Sequence, residues 1–148
     1  IGFVPQNIFL SDDTISNNVA FGIPSNKIDL KRVRESLKAA NLLNFIENSE
    51  KGLETMVGEE GIRLSGGQKQ RIGIARALYH NPSILVFDEA TSALDTETEI
   101  SVMKDIFEIV REKTLLIISH RMSSLKICDT VYKVNNSGSL EEVELIHD

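Results

Sequence analysis

A chain of 148 residues can bury one ordinary hydrophobic core, so its length predicts one domain. Sixteen Lys and Arg against 22 Asp and Glu leave a net charge of −6 at pH 7, which argues against a broad nucleic-acid-binding face. Apolar runs such as residues 115–118 fall far short of the roughly 20 residues that span a bilayer, no signal-peptide pattern is present, and the single Cys128 has no partner for an internal disulfide, which fits a reducing cytosol.

Ile1-Gly2-Phe3-Val4 already reads as the middle of a strand, so the sequence is expected to be part of a longer one. That strand, residues 1–5, is ended by Pro5, which cannot donate to a ladder, and Gln6 sits at the strand-to-loop junction. Residues 14–21 predict a short helix stopped by Gly22 and Pro24. Asp29 is expected to cap a helix through Asn41, with Val33, Leu37 and Ala40 at helical spacing, and residues 42–46 a second helix. Residues 51–63, with three glycines, read as an extended or turning connector. Ser65 then caps a helix running to about His80, stopped by Asn81-Pro82. Residues 84–87 and 114–118 have the continuous apolar character of strands buried on both faces. Between them, residues 96–111 predict a helix with Ile100, Met103, Ile106, Phe107 and Val110 on its buried stripe. A short helix at 122–127, a strand at 130–134 and a turn at 135–138 into residues 139–145 complete an alternation that argues for an α/β fold.

Four segments carry chemistry. In Leu64-Ser65-Gly66-Gly67-Gln68, a hydroxyl and two glycines open a helix, leaving N–H groups bare for an anion; taken alone, the segment also reads as a plain N-cap with flexible glycines. Ile84-Leu85-Val86-Phe87-Asp88-Glu89 ends a strand in two carboxylates, one able to hold a metal and one to polarise water, or else a solvated turn. Leu116-Ile117-Ile118-Ser119-His120 places a histidine after a strand, as a switch or a surface residue, and Val4-Pro5-Gln6 places an amide there.

Taken in order, these segments resemble the ATP-binding cassette ATPases, and the resemblance covers essentially the whole chain from Gln6 onward. It implies a partial P-loop NTPase (RecA-like) core with a helical signature subdomain at about residues 7–80 and the rest of the core at 81–148. It implies ATP and Mg²⁺ as ligands. Glu89 would be the general base, Asp88 would support Mg²⁺ through water, His120 would contact the γ-phosphate, and Gln6 would sense metal and attacking water. Leu64, Ser65, Gly66, Gly67 and Gln68 match the signature that binds ATP held by an opposite subunit. Asp95, closing Ser92-Ala93-Leu94-Asp95, matches the loop that crosses the dimer interface, and would otherwise read as a helix cap before Thr96. Thr55-Met56-Val57-Gly58-Glu59-Glu60-Gly61 resembles the exporter loop that touches transmembrane domains.

The implied partners are therefore transmembrane domains and a second nucleotide-binding domain, with no nucleic acid, at the cytoplasmic face of the cell membrane. None of the nine glycines precedes a lysine, so the family's phosphate loop and its strand are absent, and the fragment itself is expected to be inactive. The resemblance orders the strands 1–5, 84–87, 114–118, a place for the phosphate-loop strand, then 130–134. Two alternatives stand beside an exporter ATPase: a cassette ATPase of DNA repair or chromosome maintenance, and a non-catalytic interaction module. The first normally separates its motifs by long coiled coils, and no sustained heptads occur here.

Overall fold

The computed structural model describes residues 1–58 and 63–143. In chain order it contains strands β1 (Gly2–Val4) and β2 (Asp13–Thr14), helices α1 (Ile15–Val19), α2 (Leu30–Ala39) and α3 (Leu43–Glu47), and strand β3 (Met56–Val57). There follow α4 (Gly66–Tyr79), β4 (Ile84–Asp88), α5 (Thr96–Ile109), β5 (Thr114–Ile118), α6 (Met122–Leu125), β6 (Val131–Val134) and β7 (Leu140–Val143).

Capping fixes the three long helices. Asp29 accepts from the N–H groups of Lys31 and Arg32 at the start of α2, at 3.0 and 3.2 Å. Ser65 and Gln68 form a reciprocal capping box on α4, and Asp95 accepts from Thr98 N–H on α5. Val33 and Leu37 of α2, Ile72 and Ile74 of α4, and Val102, Met103 and Ile106 of α5 all enter one continuous core with Val4, Leu85 and Phe87 of the sheet. Helix α4 crosses β1 so closely that a Cβ on Gly2 would lie 2.8 Å from the Ala77 carbonyl oxygen.

The central sheet is parallel, in the order β1-β4-β5, with Val4 opposite Phe87 and Asp88 opposite Ile118. Strands β6 and β7 form a separate antiparallel ribbon, closed by Ser137 and Ser139 N–H groups donating to Asn135 Oδ1. Among the described residues β5 is bonded to β4 and not to β6, in keeping with the order expected from the sequence.

Two expectations need correction. The strands at 84–87 and 114–118 are not buried on both faces: Phe3, Ile84, Leu116 and Ile118 are substantially exposed, because helices cover only the face carrying Val4, Leu85 and Phe87. On α5, Ile100 is 61% exposed, while Glu99 is 2% exposed and takes the stripe position that leads into Val102, Met103, Ile106 and Val110. The described part of the connector at 51–63 turns and extends as expected, through a 3-10 turn at Gly52–Glu54 and β3, which pairs antiparallel with β2. Residues 144–145 of the expected hairpin, and Glu59, Glu60 and Gly61 of the exporter-like loop, lie outside the described residues.

Candidate active site

The parallel register gathers the chemistry at one edge. Gln6 leaves the sheet two residues after Val4, Asp88 ends β4 with Glu89 directly after it, and His120 lies two residues past Ile118, all at the carboxyl ends of their strands. Ligands of open α/β sheets bind outside that edge. Strand β4 stops at Asp88, and Glu89 adopts a left-handed φ of +52°. That break sends its side chain off the strand's alternation, so adjacent carboxylates can serve one site. For a residue other than glycine such a backbone costs about 1–3 kcal/mol and has to be held by its surroundings. Three hydrogen bonds hold it: Glu89 N–H donates to the Ile118 carbonyl at 2.9 Å, and the Glu89 carbonyl accepts from Ser92 N–H at 3.0 Å and from Gln70 Nε2 at 3.3 Å.

The Glu89 side chain is 15% exposed, and its buried Oε1 has no hydrogen-bond partner among the described residues. His120 Nε2 lies 3.4 Å from that oxygen, an ion-pair distance without hydrogen-bond alignment, and the His120 side chain is 96% exposed. A buried carboxylate oxygen without a hydrogen bond is costly unless something from solvent or a ligand meets it. Asp88 is half-buried and Gln6 exposed beside it. Among the described residues no group of three or more His, Cys, Asp or Glu converges. This donor set fits Mg²⁺ held by one carboxylate together with water and phosphate oxygens, the usual habit of that ion.

The signature segment lies at the start of α4. Ser65 Oγ accepts from Gln68 N–H at 3.2 Å, and Ser65 N–H donates to Gln68 Oε1 at 2.8 Å, so both side chains shape the helix end. The Gly66 and Gly67 N–H groups fall in the first turn, where no intrahelical carbonyl reaches them. A Cβ at position 67 would sit 3.2 Å from the Ala93 carbonyl oxygen, a tight contact to which the neighbouring loop would have to yield by a few tenths of an ångström. Leu64 is buried in the core, so only its backbone faces outward chemistry. Asp95 caps α5 through Thr98 N–H at 2.9 Å, and that bond, with the Thr98 hydroxyl, holds its carboxyl below the usual range.

Residues 89–95 are gripped from two sides by side chains to which the motifs assigned no role. From α4, Gln70 Nε2 donates to Ser92 Oγ at 3.0 Å and Gln70 Oε1 accepts from Ala93 N–H at 2.8 Å. From the segment after β5, Arg121 donates to the carbonyls of Ser92 and Leu94 at 2.9 and 3.1 Å, and to Glu99 Oε2 at 3.2 Å. Glu99 Oε1 accepts from Thr91 Oγ1 at 2.7 Å and from the Ser124 hydroxyl. Burial pushes the Glu99 carboxyl upward, but the bonds from Ser124, Thr91 and Arg121 outweigh it, and the net result is lowered. One sequence signal points to both residues: Gln70 shares a helical face with Ile74 and Ala77, and Glu99 with Val102 and Ile106. A polar side chain on an apolar stripe needs a buried partner. A cavity of about 580 Å³ opens between the Gln6 loop and α4, lined by Ile8, Phe9, Leu10, Arg63, Leu64 and Lys69 among others.

A family model described as ABC transporter matches residues 1–92. The chain belongs to the ABC transporter family. ABC transporter relatives include the uncharacterized ATP-binding protein YwjA of Bacillus subtilis (strain 168), 44% identical over 96% of this chain and 24% of its own length. The ATP-dependent lipid A-core flippase of Methylococcus capsulatus is 46% identical over 95% of this chain and 23% of its own. A bacterial Atm1-family ABC exporter solved with ATP bound superposes with a TM-score of 0.80 at 42% identity, covering 88% of this chain and 23% of that one. The chain thus spans about a quarter of the length of these relatives. As an ABC transporter sequence it has the α/β architecture expected of a partial P-loop NTPase core. No helix among the described residues is long and apolar enough to cross a membrane.

Proposed function

We propose that this chain is part of the ATPase of an ABC exporter, which couples ATP binding and hydrolysis to movement of a substrate across a membrane. The observation that carries this reading is Glu89: its backbone is left-handed, its side chain is mostly buried, and Oε1 has no hydrogen bond among the described residues and lies 3.4 Å from His120 Nε2. Relatives named as lipid flippases and exporters favour it over chromosome maintenance or a non-catalytic module.

In this reading Glu89 Oε1 accepts a proton from water as the water oxygen bonds to the γ-phosphorus and the bond to the β-phosphate oxygen breaks, releasing ADP. His120 donates from Nε2 to the γ-phosphate, and Gln6 orients the water from the neighbouring strand end. Asp88 would hold Mg²⁺ through water, and the ion's charge would offset that developing on the phosphate oxygens. Ser65 Oγ and the N–H groups of Gly66 and Gly67, with Leu64 and Gln68 shaping that turn, receive the γ-phosphate of ATP held by a second nucleotide-binding domain. Asp95 fixes the end of the loop that meets that partner. Residues 7–80 act as the helical subdomain and 81–148 as the rest of the core, docked on transmembrane domains at the cytoplasmic face of the membrane. Without a Gly-Lys-Ser/Thr loop, the 148 residues alone bind ATP weakly and do not turn it over; tight stoichiometric binding by titration calorimetry would contradict this.

The reading is tested in the full-length polypeptide. Glu89→Gln should still bind ATP and accumulate as a closed dimer of nucleotide-binding halves, measured by spin-label distances. Gly66→Asp, which sets a negative charge against the incoming phosphate, should prevent that closure while leaving each half's own nucleotide binding intact. Equal loss of nucleotide binding in Gly66→Asp would remove the trans-acting role.

A further inference from the structure

The buried amide of Gln70 stands between the two halves of the proposed site. It is 4% exposed and makes three hydrogen bonds: Nε2 donates to the Glu89 carbonyl at 3.3 Å and to Ser92 Oγ at 3.0 Å, and Oε1 accepts from Ala93 N–H at 2.8 Å. It lies on α4 one helical turn from the glycines whose N–H groups open that helix. Across the gap, Ala93 is the residue against which Gly66 and Gly67 pack. One side chain therefore touches the backbone of the proposed base and the loop against which the signature glycines rest.

We infer that Gln70 is a positioning residue for Glu89, fixing its left-handed backbone and transmitting the seating of the α4 N-terminus to the carboxylate. The inference rests on the proposed role of Glu89. Gln70 touches no reacting atom; it acts through the Glu89 carbonyl. If the Nε2 bond is lost, the left-handed residue keeps only its bonds to Ile118 and Ser92, and Ser92 loses a partner at the same time. The carboxylate then drifts from its aim on the water, while groups that bind nucleotide stay in place. In the proposed dimer, α4 reads ATP held by the opposite subunit and Glu89 works on ATP held by its own, so Gln70 links the two within one chain.

Two variants of near-equal size separate the contacts. Gln70→Leu removes all three bonds. Gln70→Glu keeps an acceptor for Ala93 N–H but has no donor for the Glu89 carbonyl. In the full-length polypeptide both should lower kcat for ATP by roughly 10- to 100-fold, the scale of misplacing a catalytic group by about 1 Å, with KM within about twofold of the unmodified protein. Single-turnover measurements in a Glu89→Gln background should show no further loss on adding Gln70→Leu, because both changes act on one group. An unchanged kcat in Gln70→Glu, a raised KM at constant kcat, or losses that multiply in the double variant would overturn the inference. Unchanged turnover in Glu89→Gln alone would instead overturn the functional reading beneath it.

Discussion

Glu89 and Glu99 lie on either side of one loop, both largely withdrawn from water, and their surroundings are opposite. Every oxygen of Glu99 is met: Thr91 and the Ser124 hydroxyl donate to Oε1, and Arg121 donates to Oε2. Glu89 has its backbone held by three hydrogen bonds, while its Oε1 has no hydrogen bond among the described residues and only His120 nearby. A carboxylate with all its acceptor sites engaged is a strut, since moving it breaks several buried bonds at once. A carboxylate fixed by its main chain but open at one oxygen is aimed at something else. The loop at 89–95 converts one into support for the other, because Arg121 ties Glu99 to the Ser92 and Leu94 carbonyls next to Glu89.

The contrast can be broken by experiments on stability. The largest effect is expected for Glu99→Ala, which takes the acceptor from two hydroxyls and one of the partners from the Arg121 guanidinium. It should destabilise the fold by about 2–3 kcal/mol in denaturant titration, below the range for fully buried pairs because Arg121 is partly exposed. A loss below about 0.5 kcal/mol would deny Glu99 its structural role. Thr91→Val, which removes one donor to Glu99, should cost about 1 kcal/mol by the same measurement. The smallest effect is in pH dependence. The folded-state Glu99 carboxyl lies below its ordinary value of 4.5, so its contribution is fully present above 4.5 and is lost as pH falls through the lower folded-state value. Glu99→Gln should flatten that acid-side loss of stability in thermal melts recorded from pH 6 down to about pH 3. An unchanged acid limb would show that other carboxylates set it.

Local signals made much of the fold legible. Strand β5 covers the residues its apolar run indicated, and Asp29, Ser65 and Asp95 cap the helices they precede, because capping is a contact within four residues. The pairing of β2 with β3 was not legible, since each is two residues long and far from the other in sequence. Exposure of Ile84, Leu116 and Ile118 depends on which elements cover a sheet face, which a strand's own composition does not record. At the site, the parallel register brings Gln6, Asp88, Glu89 and His120 to one edge, as their strand-end positions implied. Gln70 and Glu99 carried only the signal of a polar side chain on an apolar helical stripe, which says that a buried partner is needed but not which one, and Arg121, lying ahead of α6, carried no local signal at all.

The most direct test is to measure ATP turnover and unfolding free energy side by side for Glu89→Gln and Glu99→Gln in the full-length polypeptide. Glu89→Gln should slow turnover by roughly 10²–10⁴-fold, the usual contribution of a general base, and move the unfolding free energy by less than about 0.5 kcal/mol. Glu99→Gln should destabilise the fold and keep substantially more turnover than Glu89→Gln at temperatures where it remains folded. Normal turnover in Glu89→Gln, or a Glu99→Gln variant that is fully stable yet equally inactive, would contradict the division between an aimed carboxylate and a supporting one.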